Sequence, residues 1–166
     1  MIEFLKNNAR WLLACTLMYF SSCFGQTFFI SLYATEIRTT FNLSHGEWGS
    51  IYAAGTLLSA SAMLFLGGLV DKFELTKITI YVYILLSILC FCMIFNNSLW
   101  FLPVIIFGLR FCGQGMLFHL PAVAIGRWFG KNKGKATSIS VIGFSIGEAT
   151  FPIILAFIIT TVGWRF

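Results

Sequence analysis

The sequence predicts an all-α fold, a polytopic membrane helix bundle, and three observations carry that prediction. Hydrophobic side chains make up 58% of the chain and charged ones only 10%, whereas soluble domains are roughly one quarter charged. The few charges are gathered into short clusters separated by uncharged runs, and about 20 apolar residues suffice to cross a bilayer. The connecting stretches are short, with no low-complexity segment and no linker able to separate soluble domains, which favours antiparallel neighbours in one bundle.

Taken in order, the spans are expected at about 11–35, 48–70, 78–95, 99–125 and 136–161. The polar turn Asn96-Asn97-Ser98 separates the third from the fourth. The last two each carry one charge, Arg110 and Glu148. The first could be mistaken for a cleaved leader. Its uncharged stretch far exceeds the apolar core of about 7 to 15 residues in such leaders, and no clean small-x-small site follows, so a retained helix is expected.

Lys6, Arg10, Lys72, Lys77, Arg127, Lys131, Lys133 and Lys135 fall on one side of the expected bundle and only Arg38 and Arg165 on the other. Short loops rich in Lys and Arg stay cytoplasmic, so the N-terminus is expected inside a cell membrane, the inner membrane if the source is bacterial. The net charge of +5 then follows from topology. Basic loops beside lipid headgroups explain it without a nucleic-acid partner.

All five cysteines (Cys15, Cys23, Cys90, Cys92, Cys112) lie within expected spans, where free Cys behaves as a small buried hydrophobe, so neither disulfide nor metal site is expected. Small residues mark packing seams, because they let helix backbones approach closely in lipid. These are Gly55, Ser59 and Ala62 on span two, Gly108, Cys112 and Gly115 on span four, and Gly143 and Gly147 on span five.

Arg110 and Glu148 lie about eleven and twelve residues into their spans, which at about 1.5 Å per residue puts both near the bilayer centre. A charge there costs roughly 3 kcal/mol on insertion scales, so each should face protein or water. Two readings stay open: the two neutralise one another across antiparallel helices, or at least one handles substrate or protons. Arg suits an anionic substrate, because its planar fork holds a carboxylate at two points. Glu148 in a low-dielectric setting is suited to taking up a proton, which would couple transport to the proton gradient.

On span one, Tyr19, Ser22, Gln26 and Tyr33 fall within about 60° of one another on a continuous helix. Such a stripe borders a cavity or bonds a neighbouring helix. His119 lies on the side of span four opposite Arg110 and reads as a packed interhelical histidine; His45, beside Gly46 and Glu47, reads as part of a helix start. Gly143-Phe144-Ser145-Ile146-Gly147 matches the Gly-x-Ser-x-Gly pattern of hydrolases. That chemistry needs a strand, a strained turn and then a helix, and here the match lies inside an apolar helix. With no His-Glu-x-x-His site and no phosphate loop, neither an enzyme nor a cofactor is expected.

Gly67-Gly68-Leu69-Val70-Asp71-Lys72 closes span two with a carboxylate at the carbonyl end of a helix, where about half a negative charge repels it, so a donor partner is required. A Gly separated by three residues from an Asp-Lys pair resembles the loop signature of the major facilitator superfamily, here Gly67, Asp71 and Lys72 with Lys77 as a later base. Glu74, Leu75 and Thr76 depart from that pattern. Gly108-Leu109-Arg110-Phe111-Cys112-Gly113-Gln114-Gly115 is similar to the family's fourth-helix motif, and Gln114 joins the candidate substrate residues on that ground. Gly126-Arg127-Trp128-Phe129 with the lysines that follow resembles bacterial branches related to monocarboxylate and organic-anion carriers. Span five, with Gly143, Gly147 and Pro152, and the turn Gly163-Trp164-Arg165 are also similar to family elements.

The resemblance implies twelve helices in two six-helix halves, with substrate at the midplane between them. This chain would be an incomplete N-terminal half whose last residue, Phe166, falls where helix six begins. It would be a fragment that needs the C-terminal half of the same protein, and Asp71 would find its partner there. The expected function is alternating-access transport of a small solute, a carboxylate favoured, by proton symport. Arg110, Glu148, Gln26, Tyr19, Ser22, Tyr33 and Gln114 would handle substrate or coupling, and Gly67, Asp71, Lys72 and Lys77 would form a gating loop. The rival expectation is a small polytopic scaffold whose intramembrane charges only hold helices together. A channel is weaker, since no ring of acids or filter-like loop appears.

Overall fold

The computed structural model describes residues 2–165, which form helices joined by short turns, with no strand among them. The first span comprises α1 (Ile2–Ser22), a 3-10 turn (Cys23–Gly25) and α2 (Thr27–Leu32), with α3 (Ala34–Phe41) after it. The second is α4 (His45–Leu66) followed by the four-residue α5 (Leu69–Lys72), and the third is α6 (Leu75–Phe95). The fourth joins α7 (Leu102–Leu109), a π-helical segment (Arg110–Leu117) and α8 (Phe118–Phe129); the fifth joins α9 (Lys133–Ser140) and α10 (Ile142–Thr161).

From Leu102 to Thr161 the chain is almost unbroken helix over 60 residues. Straightened, that length would reach roughly 90 Å, about three times the hydrocarbon core. It folds back instead at Gly130, whose φ of 46° ends α8 in a conformation that side chains disfavour. α8 and α9 thus lie on either side of a turn and pack together. Phe166, where a sixth helix was expected to begin, lies outside the described residues.

Local chemistry sets the boundaries. Ser44 caps α4 in a capping box: its hydroxyl accepts from the Glu47 N–H at 3.2 Å, and the Glu47 carboxylate accepts from the Ser44 hydroxyl and N–H at 2.7 and 2.8 Å. His45 is the first residue of α4, as expected of a helix start. Ser44→Ala is expected to destabilise this end by about 1 kcal/mol, read as faster amide exchange at Glu47. In the turn before α7, the Ser98 N–H donates to the Asn96 side chain at 3.0 Å.

Span four is the axis of the bundle. Leu102, Ile106, Cys112, Leu117, Leu120, Pro121 and Ala124 are fully enclosed. It packs against span one through its π segment and α8, against α4 through α7, and against α6 along most of its length. Span five rests on span one. Outward, α4 and α10 present bare apolar side chains: Leu64 is 84% exposed, Phe65 81% and Ile153 74%. Faces of that kind call for lipid or further helices against them.

The expected small-residue seams are contact points. Gly55 meets Ile106, Gly108 meets Leu89, Gly115 meets Met63, Gly143 lies on the Thr16 carbonyl and Gly147 on Cys23. The Cys23 thiol also donates to the Phe144 carbonyl at 3.7 Å, joining spans one and five. All five cysteines are free.

Span one departs from expectation. The 3-10 turn and the extended Gln26 (ψ 155°) break it, and Tyr33 breaks it again before α3. The helical wheel that aligned Tyr19, Ser22, Gln26 and Tyr33 presupposed an unbroken helix and does not apply. Gly25 is the physical reason. Its backbone presses on Leu109 and Gly113 of span four, an approach that leaves no room for a side chain.

Candidate functional site

Arg110 opens the π-helical segment, a rare geometry that recurs at functional positions. Two sequence features favour it. Gly113 and Gly115 remove side chains from the widened turn, and Pro121 lacks the N–H that an α-helix would donate to the Leu117 carbonyl, the last of the segment. Gly113 faces Gly25: a Cβ on Gly113 would lie 2.5 Å from both the Cα and the N of Gly25. The break in span one and the π segment of span four therefore meet backbone to backbone.

This crossing sets the depth and direction of the Arg110 side chain, which is only 6% exposed. Its Nη1 donates to the Tyr52 hydroxyl at 2.7 Å and to the Thr27 hydroxyl at 2.9 Å. Tyr52 in turn donates to Thr27 at 3.1 Å, closing a triangle that ties spans one, two and four. The guanidinium carbon lies 5.1 Å from the centre of the Tyr52 ring, within cation–π range. Nε is buried without an acceptor. Among the described residues no carboxylate forms an ion pair with this cation.

Of the two readings left open for Arg110 and Glu148, mutual neutralisation is not found among the described residues. Glu148 lies on the exposed side of α10, next to Gly147, which packs on Cys23. Its carboxylate pairs with no cation among the described residues. Gly147 occupies the seam and turns its neighbour outward, so similar depth was not enough to bring the two charges together. Pro152 also removes the N–H that would bond the Glu148 carbonyl, loosening α10 at this level.

The other candidates divide. Tyr19 is 2% exposed with its ring edge-on to Phe118 at 5.1 Å, and Ser22 donates to the Tyr19 carbonyl at 2.6 Å, so both sit in the packed interior. Gln26 is half-buried at the break. Tyr33 lines an apolar cavity of about 180 Å³ with Phe29, Cys90, Ile106 and Trp164, and none of the three residues of the arginine triangle lines it. Gln114 is exposed on the π segment, and His119 is half-buried on α8. Thr27 and Tyr52, the two ligands of the guanidinium, were absent from the sequence reading. Tyr52, one turn after Trp48 on an otherwise apolar span, was the available signal.

At the basic end, the expected remote partner of Asp71 is also corrected. α4 stops at Leu66 with Gly67 as its C-cap, so Asp71 sits in the separate short α5 rather than at a long helix's carbonyl end. Its carboxylate accepts from Arg127 Nη2 of α8 at 3.0 Å, and the same nitrogen donates to the Val70 carbonyl at 2.9 Å. The partner is supplied within the chain. Lys72 is exposed, and Lys77 pairs with Glu74 at 3.0 Å. Both pairs are exposed, a setting in which an ion pair contributes about 0–1 kcal/mol.

A bundle of apolar spans around a buried, hydroxyl-bound arginine defines a polytopic membrane protein with one polar cluster in its interior. The family model of the major facilitator superfamily matches residues 15–166. The chain belongs to that superfamily, whose members carry small solutes across membranes and are generally not enzymes. No curated protein and no solved structure matches it.

Proposed function

We propose that this chain serves a proton-coupled carrier of a small organic anion, a carboxylate favoured, of the kind found in bacterial organic-anion branches of the superfamily. It works by alternating access together with a second six-helix half of the same protein in a cell membrane, its N-terminus inside. The observation that carries this reading is the Arg110 guanidinium, buried at mid-span and held by two neutral hydroxyls and an aromatic face, with no carboxylate. A buried cation left without a counter-charge is costly. A substrate carboxylate would supply that charge and take the remaining donors of the fork.

In this reading Glu148, unpaired on span five, takes up the proton, and Gln114 and Gln26 border the substrate path. The short loop of Gly67, Asp71, Lys72 and Lys77 gates the basic end, with Arg127 as the latch on Asp71. Uptake of short labelled carboxylates by cells making the full-length protein tests the anion. Glu148→Gln is expected to flatten the dependence of that uptake on external pH; an unchanged profile would remove Glu148 from coupling.

A further inference from the structure

The basic end of the bundle also brings together residues that the arginine site does not use. Arg10 and Trp11 lie on α1, Trp128 near the end of α8, Lys131 in the turn Gly130–Asn132, and Lys133 at the start of α9, which packs on both α1 and α8. The Trp11 and Trp128 rings are 4.6 Å apart and tilted by 52°. They are 42% and 41% exposed, with the Arg10 guanidinium 5.0 Å over the Trp11 ring. Paired, half-open indoles are characteristic of the membrane–water boundary.

The cations here lack partners. Among the described residues, Arg10, Lys131, Lys133 and Lys135 form no ion pair, whereas Arg127 beside them has Asp71. Along α1, Leu13 and Leu17 follow Arg10 at three and seven positions, on the same helix face, and are 59% and 52% exposed. A guanidinium at the head of an aliphatic rail, flanked by indoles and lysines, matches a ligand with an anionic head and a hydrocarbon tail. A soluble anion would leave the rail unused, and a zwitterionic lipid would leave the cations unbalanced.

We propose that this surface binds one anionic phospholipid. Arg10 and Lys131 hold the phosphodiester, Trp11 and Trp128 bracket the glycerol region, and an acyl chain lies along Leu13 and Leu17. Native mass spectrometry of the full chain in detergent, titrated with phosphatidylglycerol or phosphatidylcholine of matched chains, tests it. The unaltered chain is expected to retain phosphatidylglycerol preferentially. Arg10→Gln with Lys131→Gln is expected to weaken that binding by roughly thirtyfold and remove the preference. Lys77→Gln, which removes a cation paired to Glu74 at the same end, is expected to leave it unchanged. Equal retention of the two lipids, or an equal loss with K77Q, would overturn the proposal. If the double variant does not fold, tryptophan quenching of the unaltered chain by brominated lipids decides the same point. Stronger quenching by the brominated anionic lipid is expected, and equal quenching by both would overturn it.

Discussion

Replacing Arg110 with Ala in the full-length protein is expected to lower carboxylate uptake by about 10- to 100-fold, the range for losing one or two charge-assisted hydrogen bonds to a substrate. Arg110→Lys is expected to recover little of it. Lys keeps the charge but presents a compact ammonium in place of a planar fork, and it cannot place one nitrogen between Tyr52 and Thr27 while offering others to an anion. The paired control is Tyr52→Phe. It removes a hydroxyl that accepts from Arg110 at 2.7 Å yet keeps the ring 5.1 Å from the guanidinium. Uptake in that variant is expected to fall less than with Arg110→Ala, because the cation stays in place. If Arg110→Ala unfolds the protein but Arg110→Lys transports normally, the residue serves as a clamp between spans and does not read the substrate.

Gly113→Leu is expected to have the largest effect on stability. The Cβ alone would stand 2.5 Å from the Gly25 backbone and 3.1 Å from the Ser22 carbonyl. Backbone cannot yield as a flexible side chain can, so spans one and four would have to separate. Overpacking typically costs about 1–3 kcal/mol and occasionally more. A melting temperature lower by about 5–10 °C in detergent is expected for a chain of this size. Gly126→Ala, inside α8 with nothing near its new methyl, is the control and is expected to melt no lower than the unaltered chain. Because the same crossing sets the direction of Arg110, a partly folded Gly113→Ala variant is expected to lose transport before it loses its helices.

Much of the architecture was readable from residues alone, for a physical reason. A bilayer demands long apolar helices, so the apolar runs translate almost directly into α4, α6 and α10. The polar turn at Asn96-Asn97-Ser98 marked a boundary through its own side-chain bond, and the helix start read at His45 is the first residue of α4. What escaped was tertiary. Gly25 reads as an ordinary small residue until Gly113 is placed against it, and that contact breaks span one and invalidates the stripe from Tyr19 to Tyr33. Depth alone suggested that Arg110 and Glu148 meet, but azimuth decides, and it was fixed by Gly147 on Cys23. Asp71 has a donor, although α4 ends before it and the repulsion expected at that helix end does not apply. That the donor is Arg127, 56 positions along the chain, follows only from the packing of α8.

The identity of the counter-charge at Arg110 is tested most directly by counterflow in proteoliposomes of the full-length protein, comparing a short monocarboxylate with its uncharged amide. Exchange of the carboxylate but not the amide, lost in Arg110→Ala, is expected if the guanidinium binds the substrate anion. Equal exchange of both compounds, or carboxylate exchange that survives without Arg110, would contradict it.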